Sequence, residues 1–213
     1  MGLQLTISAL MFIGASWLFG GIAEDVMTGD PLTVVDVLVA HWLHDHATPE
    51  ITKLMLVITH VHGPTALVTF TALMSLYLLW KRDWYWLAAA IIVVPVGMLL
   101  NVMMKHAFQR TRPHFDDPLL VLTTYSFPSG HVAGATLFYG LLTAYVVAHT
   151  TQWRWRVAIA LLALLMVVSV ALSRMYLGVH YLSDVLAAFA EGFAWVVLCL
   201  TALNTWRHTA ARR

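Results

Sequence analysis

The chain has 213 residues, of which 60% are hydrophobic and only 11% are charged, and its mean hydropathy is +0.77. This composition excludes an ordinary soluble domain and indicates an integral membrane protein. The net charge of +1 gives no indication of a nucleic-acid partner, and no basic stripe with interleaved aromatic residues is present. A single cysteine, Cys199, excludes a disulfide framework.

Six apolar runs are long enough to cross the hydrocarbon layer of a bilayer, which is roughly 30 Å thick. They cover residues 3–22, 54–80, 84–104, 132–148, 157–173 and 182–203. No Lys or Arg precedes the first run and no Ala-x-Ala site follows it, so we interpret it as a span rather than a secretory signal. The sequence therefore predicts an all-α integral membrane protein with six transmembrane helices in a single domain, residues 1–213.

Residues 23–50 form the longest predicted external loop, and they contain apolar residues at helical spacing. These residues are Leu32, Val35, Leu38, Val39 and Trp42. The pattern predicts a short helix lying at the membrane interface. His41, His44 and His46 belong to the same stretch, where they indicate either a metal site or a surface at headgroup level.

Basic residues outside the spans predict the orientation of the chain in the membrane. Seven of them follow the second, fourth and sixth spans: Lys81, Arg82, Arg154, Arg156, Arg207, Arg212 and Arg213. Lys53 and the basic residues of two polar clusters described below lie on the opposite side. Most acidic residues lie on the opposite side: Glu24, Asp25, Asp30, Asp36, Asp45, Glu50, Asp116 and Asp117. We expect a bacterial cytoplasmic membrane, with both termini in the cytoplasm and the opposite side facing the periplasm or exterior.

Three polar clusters lie at the predicted outer ends of the spans. The first, residues 105–113, places Lys105 at the end of the third span and Arg112 in the extended turn that Pro113 requires. The second, residues 125–131, has Ser129 and Gly130 at the start of the fourth span. Free amide groups and the helix dipole favour an anion there, although a capped helix start would have the same sequence.

The third cluster, residues 173–184, contains Arg174, His180 and Asp184. Because His180 and Asp184 are four residues apart, they share one helical face, and the carboxylate can fix the tautomer of the imidazole. Considered alone, the pair is also compatible with a purely structural contact, and a snorkelling side chain would explain Lys105. His60, His62 and the deeper Glu191 have no role that the sequence defines.

Considered together, the clusters supply the groups that phosphoryl transfer requires: fixed positive charge for the equatorial oxygens, a nucleophile and a general acid. They bring Lys105, Arg112 and Arg174 to one side of the membrane together with two imidazoles, His131 and His180. No carboxylate cluster suited to Mg²⁺ is present among them.

The motifs Lys105-x6-Arg112-Pro113, Pro128-Ser129-Gly130-His131 and Ser173-Arg174-x5-His180-x3-Asp184 resemble the three-part signature of the type-2 phosphatidic acid phosphatase superfamily. All three are complete and in order, and the six spans resemble the membrane branch of that superfamily across nearly the whole chain. The length is similar to compact bacterial members that act on phosphatidylglycerophosphate or undecaprenyl pyrophosphate.

The resemblance implies a lipid phosphatase that uses a phosphohistidine intermediate and no metal. It implies that His180 is the nucleophile, oriented by Asp184, and that His131 is the general acid and base. It further implies a set of phosphate-binding residues: Lys105, Arg112, Ser129, Gly130 and Arg174. The expected partners are a lipid phosphate and the bilayer, with no obligate protein partner.

Three alternatives remain open from the sequence. They are a transporter or channel, a vanadate-dependent haloperoxidase with the same signature, and a lipid-binding relative without catalysis. Six spans argue against the haloperoxidases, which are soluble. The sequence does not separate phosphatidylglycerophosphate, phosphatidic acid and undecaprenyl pyrophosphate as substrates, and His106 and Arg110 could serve a second phosphate group.

Overall fold

The computed structural model describes residues 2–29 and 31–210, and within them the chain is helical with no strand. Nine α-helices follow one another in this described part of the chain: α1 (Gly2–Thr28), α2 (Pro31–Asp45), α3 (Pro49–Val61), α4 (Pro64–Lys81), α5 (Trp84–Ile91), α6 (Gly97–Phe108), α7 (Gly130–His149), α8 (Trp153–Tyr176) and α9 (Leu182–Ala210). A π-helical turn, Ile92–Val96, joins α5 to α6. The predicted positions of Asp30, Arg212 and Arg213 lie outside the described residues.

Among the residues that the structure describes, five helical segments are long and apolar enough to cross a membrane, and a sixth span results if the bent pair α3 and α4 counts as one. The bend of 44° falls at Gly63 and Pro64, inside the predicted second span. Pro64 has no backbone N–H and begins a new helix, which explains the break. Pro95 has a milder effect, because the π-helical turn around it accommodates the missing hydrogen bond within a continuous span.

Most of the predicted external loop, residues 23–50, is helical. α1 continues six residues beyond the predicted boundary at residue 22, and the predicted short helix is present as α2. α2 packs against α1, α8 and α9. One of its faces buries Asp36, while apolar side chains such as Leu38 and Trp42 are exposed. Its location at the membrane surface stays a prediction.

α7 and α9 form the centre of the bundle. α9 packs against α1 and α7, and α7 also packs against α8. Small residues permit close approach: a Cβ added to Gly192 of α9 would lie 3.0 Å from Thr136 of α7. A Cβ added to Gly134 of α7 would lie 2.6 Å from the side chain of Leu67 in α4. The outer faces of α1 and α8 are apolar and exposed, as a lipid-facing surface requires.

The two ends of the bundle differ in chemistry. At one end, the side chain of Arg207 lies over the ring of Tyr85 at 4.6 Å, and His149 Nε2 lies 3.6 Å from Asp83 Oδ2, so the basic turns are neighbours. At the other end, α6 and α8 finish where α7 and α9 begin. The three polar clusters of the sequence therefore come to the same end of the molecule.

Candidate active site

A cavity of about 670 Å³ opens where the end of α6, the start of α7 and the loops at residues 109–129 and 177–181 meet. Its polar lining includes six of the eight residues expected from the sequence: Lys105, Arg112, Gly130, His131, Arg174 and His180. Its apolar lining comes from α4, α6 and the 109–129 loop, including Leu67, Met98, Val102 and Leu122. One part of the cavity lining is therefore positively charged and another part, the apolar wall, is hydrophobic.

His180 lies in the loop between α8 and α9, with only 1% of the residue exposed. Its Nδ1 is 3.2 Å from Asp184 Oδ2, and the same oxygen accepts the backbone N–H of Tyr181 at 2.9 Å. The carboxylate favours the tautomer with a proton on Nδ1, so Nε2 carries the free lone pair. Burial lowers the pKa of His180 to about 3, and this imidazole is therefore neutral at physiological pH.

Arg112 is held rigidly beside that lone pair. Its Nη1 is 3.2 Å from His180 Nε2 and also donates to the backbone oxygen of Val179. Its other nitrogens donate to Thr124 O at 2.6 Å, Thr124 Oγ1 at 2.9 Å and Tyr125 O at 3.0 Å. Burial lowers the pKa of Arg112, but the guanidinium stays a cation. These bonds place fixed positive charge next to the candidate nucleophile.

Lys105 and Arg174 add two more cations to the cavity. Lys105 Nζ donates to the backbone oxygens of Tyr125 at 3.0 Å and Ser126 at 3.3 Å. Arg174 is almost fully buried; its Nη1 donates to Thr59 Oγ1, while its Nε and Nη2 have no partner among the described residues. A buried guanidinium without a carboxylate partner is costly, and an anion in the cavity would satisfy it.

The start of α7 faces the same cavity. The first amide groups of a helix have no acceptor within it, and Gly130 and His131 both line the cavity at this point. A Cβ added to Gly130 would extend between Asn101 Oδ1 at 3.4 Å and Lys105 Cε at 3.7 Å. The imidazole of His131 interacts electrostatically with four other side chains of the cavity, those of Arg174, His180, Arg112 and Lys105.

Ser129 and Asp184 are the two expected site residues that do not line the cavity. Asp184 lies behind His180, as the motif predicts. Ser129 differs from expectation because its hydroxyl forms no cap and has no partner among the described residues. Its backbone N–H instead donates to the carbonyl oxygen of Asp184 at 3.1 Å, which ties the start of α7 to the start of α9.

The sequence did not identify several polar residues that support this region. Arg110, which was considered for a second phosphate, instead binds the carboxylates of Asp36 and Asp184. Deeper in the bundle, Asn101 Nδ2 donates to Glu191 Oε2 at 2.9 Å. The sequence offered two signals: Asp36 among apolar residues of a predicted helix, and the polar residues Asn101 and Glu191 inside apolar runs. Neither signal indicates which residue each side chain would contact.

The histidines of the external region contact aromatic and acidic side chains around them. His44 stacks on Phe115 and lies 2.9 Å from Asp117, whereas His46 stacks on Trp42. Over residues 2–29 and 31–210, no group of three or more His, Cys, Asp or Glu side chains is placed to hold a metal ion. The ring nitrogens of His60 and His62 contact helix carbonyls, and His62 also contacts Tyr139 Oη at 2.9 Å.

Comparison with known proteins relates the chain to one family. Residues 84–208 match the model of the PAP2 superfamily. The chain is 30% identical over 145 residues to the phosphatidylglycerophosphatase B of Bacillus subtilis, covering 68% of this chain and 71% of that protein. It is 29% identical over 127 residues to the undecaprenyl-diphosphatase of Sulfolobus acidocaldarius, covering 57% of each.

Two solved structures share the fold. The crystal structure of a transmembrane PAP2 type phosphatidylglycerolphosphate phosphatase from Bacillus subtilis matches with a TM-score of 0.82 and 26% identity, covering 90% of this chain and 94% of that one. LpxE of Aquifex aeolicus matches with a TM-score of 0.63 and 19% identity, covering 78% and 95%, which supports the fold alone. The chain is thus a multi-pass membrane protein. The cationic lining of its cavity is consistent with the phosphatases that it resembles.

These matches are to proteins named as phosphatases, one of them a transmembrane protein, and they favour the phosphatase interpretation over the transporter and haloperoxidase interpretations. The family model spans more than half of the chain and includes all three motifs of the cavity. The chain is therefore a member of the PAP2 superfamily and a hydrolase of the lipid phosphatase class.

Proposed function

We propose that this protein hydrolyses the phosphomonoester or pyrophosphate group of a membrane lipid through a phosphohistidine intermediate. The observation that carries the proposal is the neutral imidazole of His180, whose Nε2 faces the cationic cavity while Nδ1 is oriented by Asp184. A neutral imidazole with one fixed tautomer is a competent nucleophile toward phosphorus.

In the first step, His180 Nε2 attacks phosphorus, and the bond from phosphorus to the leaving oxygen breaks. His131, in its imidazolium form, gives a proton to that oxygen and becomes neutral, so the lipid product leaves as an alcohol or as a phosphate. In the second step, His131 takes a proton from water, the hydroxide attacks phosphorus, and the P–N bond breaks. Inorganic phosphate and the free His180 imidazole result, which restores the starting state.

Positive charge around the phosphate stabilises both transition states. Lys105, Arg112 and Arg174 are assigned to the phosphate oxygens. The Nε and Nη2 of Arg174, which no described residue pairs, support this assignment. The amides at Gly130 complete the binding set. Ser129 is kept as a phosphate ligand because its buried hydroxyl has no hydrogen-bond partner within residues 2–29 and 31–210.

A lipid is favoured as the substrate by the shape of the site. The apolar wall contributed by α4 and α6 belongs to spans, so an acyl chain can lie in the bilayer while its phosphate enters the cavity. The relatives bear names for phosphatidylglycerophosphate and undecaprenyl diphosphate, and these lipids, with phosphatidic acid, are the proposed candidates. The site is assigned to the outer leaflet because the basic turns lie at the opposite end of the bundle.

Release of inorganic phosphate from the three purified lipids, with and without a chelator, tests this function. We expect release from at least one lipid and no effect of the chelator. His180→Ala should abolish release from every substrate, because no nucleophile remains. An active His180→Ala variant would contradict the proposed intermediate.

An activated aryl phosphate separates the roles of the two histidines. Its leaving group needs little protonation, so His131→Ala should lower its hydrolysis by less than about tenfold, against about 100-fold or more for a lipid monophosphate. His180→Ala should eliminate both activities. Equal losses for the two substrates in His131→Ala would count against the general-acid assignment.

A further inference from the structure

A buried cluster of charged residues lies behind the nucleophile, outside the cavity. Arg110 Nη2 donates to Asp36 Oδ2 at 2.7 Å, and Arg110 Nη1 donates to Asp184 Oδ1 at 2.6 Å. Both carboxylates are fully buried, and the Arg110 side chain is 13% exposed. One guanidinium from the loop at 109–129 therefore joins α2 to the start of α9.

The bonds of Arg110 go to side chains outside the cavity rather than to the space where a substrate phosphate would bind. Its Nη1 also donates to Ser183 Oγ at 2.6 Å, and its guanidinium lies over the ring of Tyr181 at 4.4 Å. The residue does not line the cavity. The adjacent carboxylates raise the pKa of Arg110 against the opposing effect of burial, so its charge is secure. The function of Arg110 therefore depends on the two carboxylates that it binds, those of Asp36 and Asp184.

What Arg110 holds is the carboxylate that orients the nucleophile. The two oxygens of Asp184 are divided: Oδ1 accepts from Arg110, and Oδ2 accepts from Tyr181 N and contacts His180 Nδ1. A carboxylate fixed through both oxygens cannot rotate, whereas one held on a single side can. A fully buried carboxylate also needs a cation or several donors to remain charged.

Asp36 completes the arrangement from α2. Its Oδ1 accepts the backbone N–H of Ser183 at 2.8 Å, and its Oδ2 accepts both the Ser183 hydroxyl and Arg110. Asp36 thus binds the residue that precedes Asp184 and the cation that binds Asp184. The predicted interfacial helix is in this way attached directly to the support of the catalytic pair.

We propose that Asp36 and Arg110 are positioning residues that hold Asp184, and through it the imidazole of His180, in the orientation for attack on phosphorus. This inference rests on the proposed phosphatase function. It assigns a role to α2 and to a residue of the first polar cluster that lies two positions before the phosphate-binding Arg112. It also replaces the suggestion that Arg110 serves a second phosphate group.

Kinetics of the full-length protein in detergent, with dioleoyl phosphatidic acid as the probe, test the role of Arg110. Arg110→Met should lower kcat by about 100-fold, because a small misplacement of the reacting groups has an effect of that size, and should change KM by less than about threefold. Orthovanadate, which mimics the pentacoordinate transition state, should inhibit this variant about 100-fold more weakly, while product inhibition by phosphate stays unchanged. Arg154→Met, at the opposite end of the molecule, is the matched control and should behave as wild type.

A double-mutant comparison identifies the route of the effect. If Arg110 acts through Asp184, then adding Arg110→Met to Asp184→Asn should reduce kcat by less than about threefold further, because the two residues act as one unit. Asp36→Asn keeps the shape of the side chain and should lower kcat by about tenfold with KM preserved. It provides the test if Arg110→Met does not fold, as judged by its thermal unfolding.

The outcomes separate this proposal from the function on which it rests. A rise in KM at constant kcat would make Arg110 a substrate ligand and overturn the proposal, as would losses that multiply in the Asp184→Asn background. Wild-type activity in both Arg110→Met and Asp36→Asn, with His180→Ala inactive, would refute the positioning role alone. Absence of phosphate release by wild type from all three candidate lipids would refute the function and the positioning role together, and if only another of the three is hydrolysed, that lipid replaces phosphatidic acid as the probe.

Discussion

At the scale of single residues, burial decides the chemical state of the candidate nucleophile. His180 is enclosed on all sides except toward the cavity, and desolvation outweighs the carboxylate of Asp184 in setting its pKa. A neutral imidazole follows, although a carboxylate neighbour by itself would favour the imidazolium. The nucleophile is therefore available across the physiological range, and protonation removes it only as the pH falls toward 3.

This burial predicts a pH dependence of stability. The unfolded state binds a proton at His180 near the ordinary pKa of about 6.5, whereas the folded state does so only near 3. Unfolding therefore takes up a proton between these values, and stability is lost as the pH falls below about 6.5. From pH 7 to pH 5, wild type should lose about 2 kcal/mol that a His180→Asn variant keeps. Thermal unfolding of both proteins at the two pH values measures the difference, and parallel behaviour would contradict it.

At the scale of elements, a five-residue loop between α8 and α9 presents His180 to the cavity. Gly178 adopts a φ of +69°, which favours glycine, and a Cβ at this position would lie 2.9 Å from Phe115 Cε2. The loop is thus fixed by its own backbone conformation and by a residue of the 109–129 loop. Phe115 is in turn stacked on His44 of α2.

Gly178→Ala should therefore impair catalysis through the position of His180. The new Cβ meets both backbone strain and Phe115, so we expect kcat for phosphatidic acid to fall by about tenfold or more. Gly29→Ala is the matched control, because Gly29 has a similar φ of +80° but, apart from its chain neighbours, no described residue comes within 4 Å of the added Cβ. That variant should keep its activity despite the strain. Equal kinetic losses in the two variants would show that strain alone, rather than the site, is responsible.

At the scale of the whole molecule, the cationic cavity lies at one end of the helical bundle and the basic turns lie at the other end. The exposed Asp116 belongs to the loop beside the cavity, and the exposed Arg154 belongs to the turn between α7 and α8. If the positive turns face the cytoplasm, these two positions lie on opposite sides of the membrane.

Thiol labelling of intact bacterial cells that express the protein tests this orientation. Cys199 is the only cysteine and is buried, so Cys199→Ala provides a background without thiols. A membrane-impermeant maleimide should label Asp116→Cys in intact cells and Arg154→Cys only after the cells are opened. The reverse pattern would place the cavity on the cytoplasmic side. Retained phosphatase activity in both variants is the control for folding.

Much of this architecture was predictable because hydrophobicity acts locally. The apolar runs, the helix within residues 23–50 and the break at Pro64 follow from composition and backbone chemistry at those positions. The pairing of His180 with Asp184 was also predictable, since residues four apart share a helical face. In contrast, the extension of α1 to Thr28 and the uncapped hydroxyl of Ser129 depend on neighbours that are distant in sequence.

The sequence by itself determined that this chain is a helical membrane protein with three polar motifs that resemble a phosphatase signature. It did so because span length, turn residues and motif spacing are properties of short stretches. Only the tertiary structure decided that Arg110 contacts the carboxylates of Asp36 and Asp184, and that Asp36 reaches this site from α2. A guanidinium can bind a carboxylate or a phosphate equally well, so its function is set by which anion the fold brings within reach.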